Sequence, residues 1–226
     1  MIIAALGDIH GNLPAFNAVI RAIDDAGIET IVNTGDCVVG FPWANEVVDR
    51  LQERDIPSVQ GEMDRLTARC HRKTSTLRRR LTSDEFAEVR WTYENVSSRN
   101  LEYLARLPRQ RILVVDNVPV FICHGTAGDV SDELGDAAEP ARFRRVHEAT
   151  NAPIVIFGNT HHPFARTVDG TLFVNPGSAG YADEAASLAH YAIISTESDP
   201  WQADLCYVEY DPLTPPNTEQ SRRRHQ

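Results

Sequence analysis

One small unit recurs in order along the first 178 residues: a short apolar run, a turn, then an acid or a histidine. Residues 2–6 are wholly apolar, and Gly7-Asp8-Ile9-His10-Gly11-Asn12 follows at once. Residues 30–33 lead into Thr34-Gly35-Asp36, and residues 56–59 into Gln60-Gly61-Glu62-Met63-Asp64. Further on, residues 118–123 precede His124-Gly125, and residues 154–157 precede Gly158-Asn159-Thr160-His161-His162. A sixth run, 171–174, opens into Asn175-Pro176-Gly177-Ser178. Short runs without polar alternation read as strands buried on both faces. In an open α/β sheet, the loops beyond the carboxyl ends of such strands are where ligands bind.

Helical spacing separates the first runs. Residues 14–26 place Phe16, Val19, Ile20 and Ile23 on one face, with Gly27 as a stop, and residues 43–54 repeat the pattern with Val47, Val48 and Leu51. The order β-α-β-α-β, with 56–59 as the third strand, implies a largely parallel sheet with helices packed on it. Residues 64–107 read as two or three helices, one starting at Thr82-Ser83-Asp84-Glu85, and Pro108 ends the region. Strand-like runs then follow at 111–115, 118–123, 154–157, 165–168, 171–174, 191–195 and 203–210, interrupted by a helix at 140–149. Asp169-Gly170 between two of them is a hairpin signal. The expectation is one α/β domain over residues 1–212 whose second half closes with antiparallel strands. The segment 213–226, with its prolines and Arg222 to Arg224, is expected to be a disordered tail.

A formal net charge of −10 argues against broad nucleic-acid binding, which depends on surplus cations. No apolar run approaches bilayer length, and no basic segment precedes a longer apolar one. The four cysteines are widely scattered without a C-x-x-C pair, which fits reduced thiols and a cytoplasmic location. The arginines between Arg65 and Arg80 read as a solvated helix face, and Trp91 and Tyr93 as packing residues.

Each strand-end fragment alone occurs by chance in unrelated proteins. Their recurrence in order is what points to a site. Converging carboxylates and imidazoles without a cysteine ligand suit a borderline divalent metal such as Mn, Fe, Co, Ni or Zn.

The ordered set Asp8-x-His10, Gly35-Asp36, Gly61-Glu62-x-Asp64, His124-Gly125 and Gly158-Asn159-x-His161 resembles the calcineurin-like metallophosphoesterase superfamily. Asn175-Pro176-Gly177-Ser178 is similar to its small prokaryotic phosphodiesterase branch. The resemblance implies a four-layer αββα sandwich of mixed sheets and two divalent metal ions bridged by an aspartate and a hydroxide. It implies that Asp8, His10 and His161 hold the first ion, that Asp36 bridges, and that His124 with residues 62 and 159 holds the second. The implied activity is phosphodiester hydrolysis by a metal-bound hydroxide on a small phosphate-ester substrate. Asn12 would then donate to the phosphate or support a ligand.

Three departures from the family pattern matter. Glu62 stands where the family has Asn, and Asn159 where it has His. Glu62 either binds, making an oxygen-rich second site that favours Mn or Fe over Ni, Co or Zn, or leaves that site weak or empty. Met63 stands where many members place a proton-donating His, and His162 is the nearest replacement acid in sequence. Two other functions stay open beside the phosphodiesterase. One is an inactive binding scaffold, since the fold includes a eukaryotic retromer scaffold subunit. The other is a nucleotide or dinucleoside polyphosphate hydrolase. Oligomeric state is not legible.

Overall fold

In the computed structural model, which describes residues 1–181, 187–197 and 200–212, the apolar runs become strands of two sheets. In chain order the elements are β1 (Ile2–Leu6), α1 (Leu13–Asp25), β2 (Thr30–Asn33), α2 (Ala44–Glu53), α3 (Glu62–Arg80), α4 (Ser83–Asn95) and α5 (Ser98–Arg106). There follow β3 (Gln110–Val115), β4 (Val118–Cys123), α6 (Pro140–Thr150), β5 (Ile154–Ile156), β6 (Phe164–Val168), β7 (Thr171–Asn175), β8 (Leu188–Ser195) and β9 (Gln202–Glu209). The first sheet has the order β2-β1-β8-β9 and the second β3-β4-β5-β7-β6.

Strand alternation sets the layers, because successive side chains point to opposite faces. In β1, Ile3 and Ala5 enter a core shared with Val120, Ile122, Ile154, Ile156, Leu172 and Val174 of the second sheet. Ala4 and Leu6 enter a different core, with Phe16, Val19, Ile20 and Ile23 of α1 and residues from α2 to α5. In the second sheet, Phe121, Val155 and Phe173 face Phe143 and Val146 of α6. The result is helices, sheet, sheet, helix: the four-layer arrangement and mixed sheets that the resemblance implied.

Two expectations about strands need correction. Residues 56–59 form only an isolated parallel bridge, Asn33 to Ser58. Pro57 lacks an N–H, so the run offers Asn33 only the Pro57 carbonyl, at 2.9 Å, and the Val59 N–H, at 3.1 Å. The second half is also less antiparallel than its spacing implied, since β4 pairs with β5 and β5 with β7 in parallel. The crossover helix α6 makes the first pairing possible, and β6 folds back as an edge hairpin before β7.

Local signals held elsewhere. Thr82 caps α4 with a reciprocal Glu85 contact, its N–H donating to Glu85 Oε2 at 2.8 Å. Asp169 and Gly170 both take positive φ, 48° and 82°, as a tight β6–β7 hairpin requires. All four cysteines are free thiols, and three are buried. Among the described residues, no helix is long and apolar enough to cross a membrane. The expected tail, 213–226, lies outside the described residues.

Candidate metal centre

The loops after β1, β2, β4 and β5 meet at one place. Ligand-type atoms of Asp8, His10 and His161 lie within 4.8 Å of one another, and so do those of Asp8, Asp36 and His124. The backbone that presents them is strained. Asp8, His10, Asp36, Asn159 and His161 all have positive φ, between 50° and 73°. An L-residue in that region costs about 1–2 kcal/mol, so the surroundings must hold it there.

Two clamps do so. The first two loops run side by side, with Asp8 N–H donating to Gly35 O (2.8 Å), His10 N–H to Asp36 O (2.9 Å) and Gly11 N–H to Cys37 O (2.9 Å). The second clamp is Asn175-Pro176-Gly177-Ser178. The Ser178 hydroxyl donates to Asp8 O at 2.7 Å, and the Asn175 amide donates to Gly158 O at 2.8 Å and to Thr160 Oγ1 at 3.1 Å. Two glycines admit the carboxylates. A Cβ on Gly61 would come within 2.1 Å of Asp36 Oδ1, and one on Gly158 within 2.6 Å of Asp8 Oδ2.

Carbonyl partners decide which imidazole nitrogens face the site. His10 Nδ1 lies 2.9 Å from Val39 O, and His124 Nδ1 lies 2.9 Å from Thr34 O. A carbonyl only accepts, so each Nδ1 carries a proton and Nε2 is the nitrogen left to face the site, the arrangement usual in metal-binding histidines. Val39 holds its carbonyl in place with φ 74°, an outlier for a β-branched residue.

Both Nε2 atoms point into the site. His124 Nε2 is buried without a hydrogen-bond partner, 3.3 Å from Asp36 Oδ2. His10 Nε2 lies 3.0 Å from His161 Nε2 and 4.0 Å from Asp36 Oδ2. Asp36 Oδ1 accepts the Met63 N–H at 2.7 Å, at the start of α3, which aims Oδ2 between the two Nε2 atoms. Ligands bound at about 2.0–2.2 Å sit about 3.0–3.5 Å apart at right to tetrahedral angles, so the donor spacing fits divalent ions. Asp8 belongs to both clusters, but it meets His124 at Nδ1, 4.0 Å away. That nitrogen already serves Thr34 O, so the carboxylate facing His124 Nε2 is Asp36, which belongs to the second cluster and not to the first.

Electrostatics agree. Among the described residues, the ion-pair partners of buried Asp8 and Asp36 are histidines alone. Burial opposes charge on His124, but the Asp36 carboxylate, then Asp8 and Asp64, outweigh it and push its pKa up to about 10. Burial likewise opposes ionisation of Asp36, yet His124, then His10 and the Met63 N–H, hold it down to about 2. For His10 burial wins and the pKa falls. For His161 burial is outweighed by Asp8 and the pKa rises. A proton on His124 thus occupies a position where a cation would sit.

The remaining site residues divide. Glu62 joins neither cluster, and its Oε1 accepts the Ser131 hydroxyl at 2.7 Å. Asn159 donates its N–H to both Asp8 oxygens, at 3.3 and 3.2 Å, while its side-chain nitrogen is buried without a partner. Asn12 is a structural cap: Oδ1 accepts from Ala15 N–H, and Nδ2 donates to Gly180 O and Tyr210 Oη. All its polar atoms are thereby engaged, which leaves none for a phosphate. His162 is exposed, outside both clusters. Asp64 braces its loop, accepting from Cys37 N–H (2.9 Å) and Gly61 N–H (3.0 Å). Burial, then the Asp36 charge, raises its pKa to about 7.

Sequence reasoning missed Tyr181. Its ring stacks on His161 (centroids 6.1 Å, 7° between planes) and meets His10 edge-on at 4.9 Å. No spacing pattern marks an aromatic that reaches the site through a loop. Ser131, Thr34 and Val39 were unreadable for a similar reason: their part is a single hydroxyl or carbonyl.

A family model described as the calcineurin-like phosphoesterase superfamily domain matches residues 1–199. An uncharacterized protein of Methanocaldococcus jannaschii is 27% identical, covering 93% of this chain and 88% of its own. A hypothetical protein from Pyrococcus horikoshii OT3 superposes with a TM-score of 0.78 at 20% identity, over 93% of this chain and 88% of that one. A metallophosphoesterase from Sphaerobacter thermophilus gives a TM-score of 0.71 at 24% identity, over 93% and 90%.

Proposed function

The chain belongs to the calcineurin-like phosphoesterase superfamily, and from that premise we propose that it hydrolyses phosphodiesters with the help of two divalent metal ions. The observation that carries this is the Asp36 carboxylate aimed between the Nε2 atoms of His10 and His124, the latter buried and 3.3 Å from Asp36 Oδ2. Asp8, His10 and His161 would hold one ion, His124 the other, and Asp36 both. Bound there, the ions would lower the pKa of the attacking water and neutralise charge developing on the phosphoryl oxygens.

The chain's own groups do the positioning. Val39 O and Thr34 O fix the tautomers of His10 and His124, and the Met63 N–H fixes the Asp36 rotamer. Asp8 is buried, whereas the His161 side chain is 32% exposed, so the ester approaches from the His161 side. Met63 offers no proton to a leaving oxygen. That favours esters whose alcohols leave without protonation, aryl diesters among them.

A second reading, a scaffold with a weak second site, is favoured by the engagement of Glu62 with Ser131. Metal-stripped protein should be given Mn, Fe, Co, Ni, Zn or Mg in turn, then assayed on a chromogenic diester and the matching monoester. Turnover of the diester above the monoester with at least one metal is the expected result. No turnover with any metal, in normally folded protein, would favour the scaffold.

A further inference from the structure

Trp91, expected to be a packing residue, is 47% exposed. It lies on α4 and lines a cavity of about 460 Å³ together with Gly40, Pro42, Ala87, Glu88 and Thr92. That volume is in the range of small-molecule sites, and the wall is apolar except for Glu88 and Thr92. Tyr93, two residues on, does pack against the core of α1 to α5.

The cavity lies beside the loop that supports the metal centre. Gly40 follows Val39, whose carbonyl orients His10, and Phe41 N–H donates to His10 O at 2.8 Å. On its other side Gly40 abuts Tyr181, because a Cβ there would stand 2.2 Å from the Tyr181 hydroxyl. Tyr181 in turn stacks on His161, the exposed edge of the centre. A chain of residues in contact thus runs from His161 through Tyr181 to Gly40, which lines the cavity with Trp91.

We propose that this cavity is a subsite for a planar, uncharged aromatic group of the ester, an aryl ring or a nucleobase, stacked on Trp91. The inference rests on the phosphoesterase reading above and adds a substrate class to it. Charge decides what enters. Glu88 is the charged group among the described lining residues, and a carboxylate repels a phosphate while accepting N–H or O–H groups of a ring. The phosphate thus stays at the metal side and the organic group takes the cavity. Stacking on an indole is tolerant of ring identity, so the subsite selects flat over aliphatic groups rather than one base over another.

The test uses the metal-loaded chain with phenyl p-nitrophenyl phosphate and methyl p-nitrophenyl phosphate, which share a leaving group. Wild type should prefer the phenyl ester, and Trp91→Ala should raise its KM about tenfold, the scale of one lost stacking contact. Trp91→Phe should restore most of the preference, and Ala87→Phe, which fills the cavity, should abolish it. A KM that rises for both esters in Trp91→Ala places the leaving aryl group in the cavity, which also upholds the subsite. Unchanged KM values for both esters in Trp91→Ala and Ala87→Phe overturn it. Adenosine binding to metal-free protein, followed by ligand-observed NMR, separates this from the activity. Adenosine bound by wild type and lost in Trp91→Ala supports the subsite even in a chain that hydrolyses nothing; no adenosine binding to wild type counts against it.

Discussion

Loading the second metal should expel about one proton from His124, and the count distinguishes a two-metal centre from a one-metal centre. The Asp36, Asp8 and Asp64 carboxylates hold the His124 pKa at about 10 against burial. At pH 8 a group with that pKa is about 99% protonated. A cation at Nε2 must displace that proton, because Nδ1 remains committed to Thr34 O. Removing a proton well below its pKa costs about 3 kcal/mol, so second-site affinity should improve about tenfold per pH unit from 7 to 9. At the first site His10, its pKa lowered by burial, releases none, and any release there comes from His161, whose pKa Asp8 raises. Isothermal titration of metal-stripped protein with Mn, in buffers of different ionisation enthalpy, gives the proton count for each equivalent. The second equivalent should release about one proton, and His124→Ala should abolish both the event and the proton. A second ion that binds with pH-independent affinity and no proton release would refute the reasoning. In metal-free protein the same raised pKa contributes stability that is complete below about 6.5 and lost as pH rises through about 10.

Other perturbations probe the supports. Gly61→Ala should disable metal binding and lower stability, since its Cβ would fall 2.1 Å from Asp36 Oδ1 and 2.2 Å from the Asp36 backbone nitrogen; metal content per chain and urea unfolding check this. Asn175→Ala removes buried bonds to Gly158 O, Thr160 Oγ1 and Gly177 N–H and should destabilise the chain by about 2–3 kcal/mol in urea unfolding. Glu62→Ala should weaken the second equivalent alone if Glu62 turns from Ser131 to the metal; an unchanged second affinity would leave it a partner of Ser131 only. Asn12→Ala should lower stability through the lost α1 cap by about 1 kcal/mol, with little change in KM, because its amide faces Gly180 and Tyr210.

Residues 2–6 and 154–157 were readable as buried strands because apolar runs bounded by glycine have few other uses, and α1 because its 3.6-residue period is unbroken. The five clustered candidate ligands were readable for a related reason: each lies in the loop that follows its strand, so local order along the chain placed Asp8, His10, Asp36, His124 and His161 at the carboxyl ends of strands in both sheets. The part of Asn12 was not. It reads as a phosphate donor or a support for a ligand, and only its engaged partners in the fold show it to be a helix cap.

By itself the sequence determined the strand-and-loop order, the ligand chemistry and the two departures at Glu62 and Asn159, since each is a property of residue type and spacing. Tertiary structure alone decided which imidazole nitrogens face the site, where the Asp36 oxygen points, that Glu62 meets Ser131, and that Gly40 adjoins Tyr181 and lines a cavity with Trp91. Those facts depend on carbonyls and rings contributed by segments far apart in the chain, such as Thr34 beside His124 and Gly40 beside Tyr181. Residue spacing carries no record of such neighbours, because packing of the two sheets brings them together.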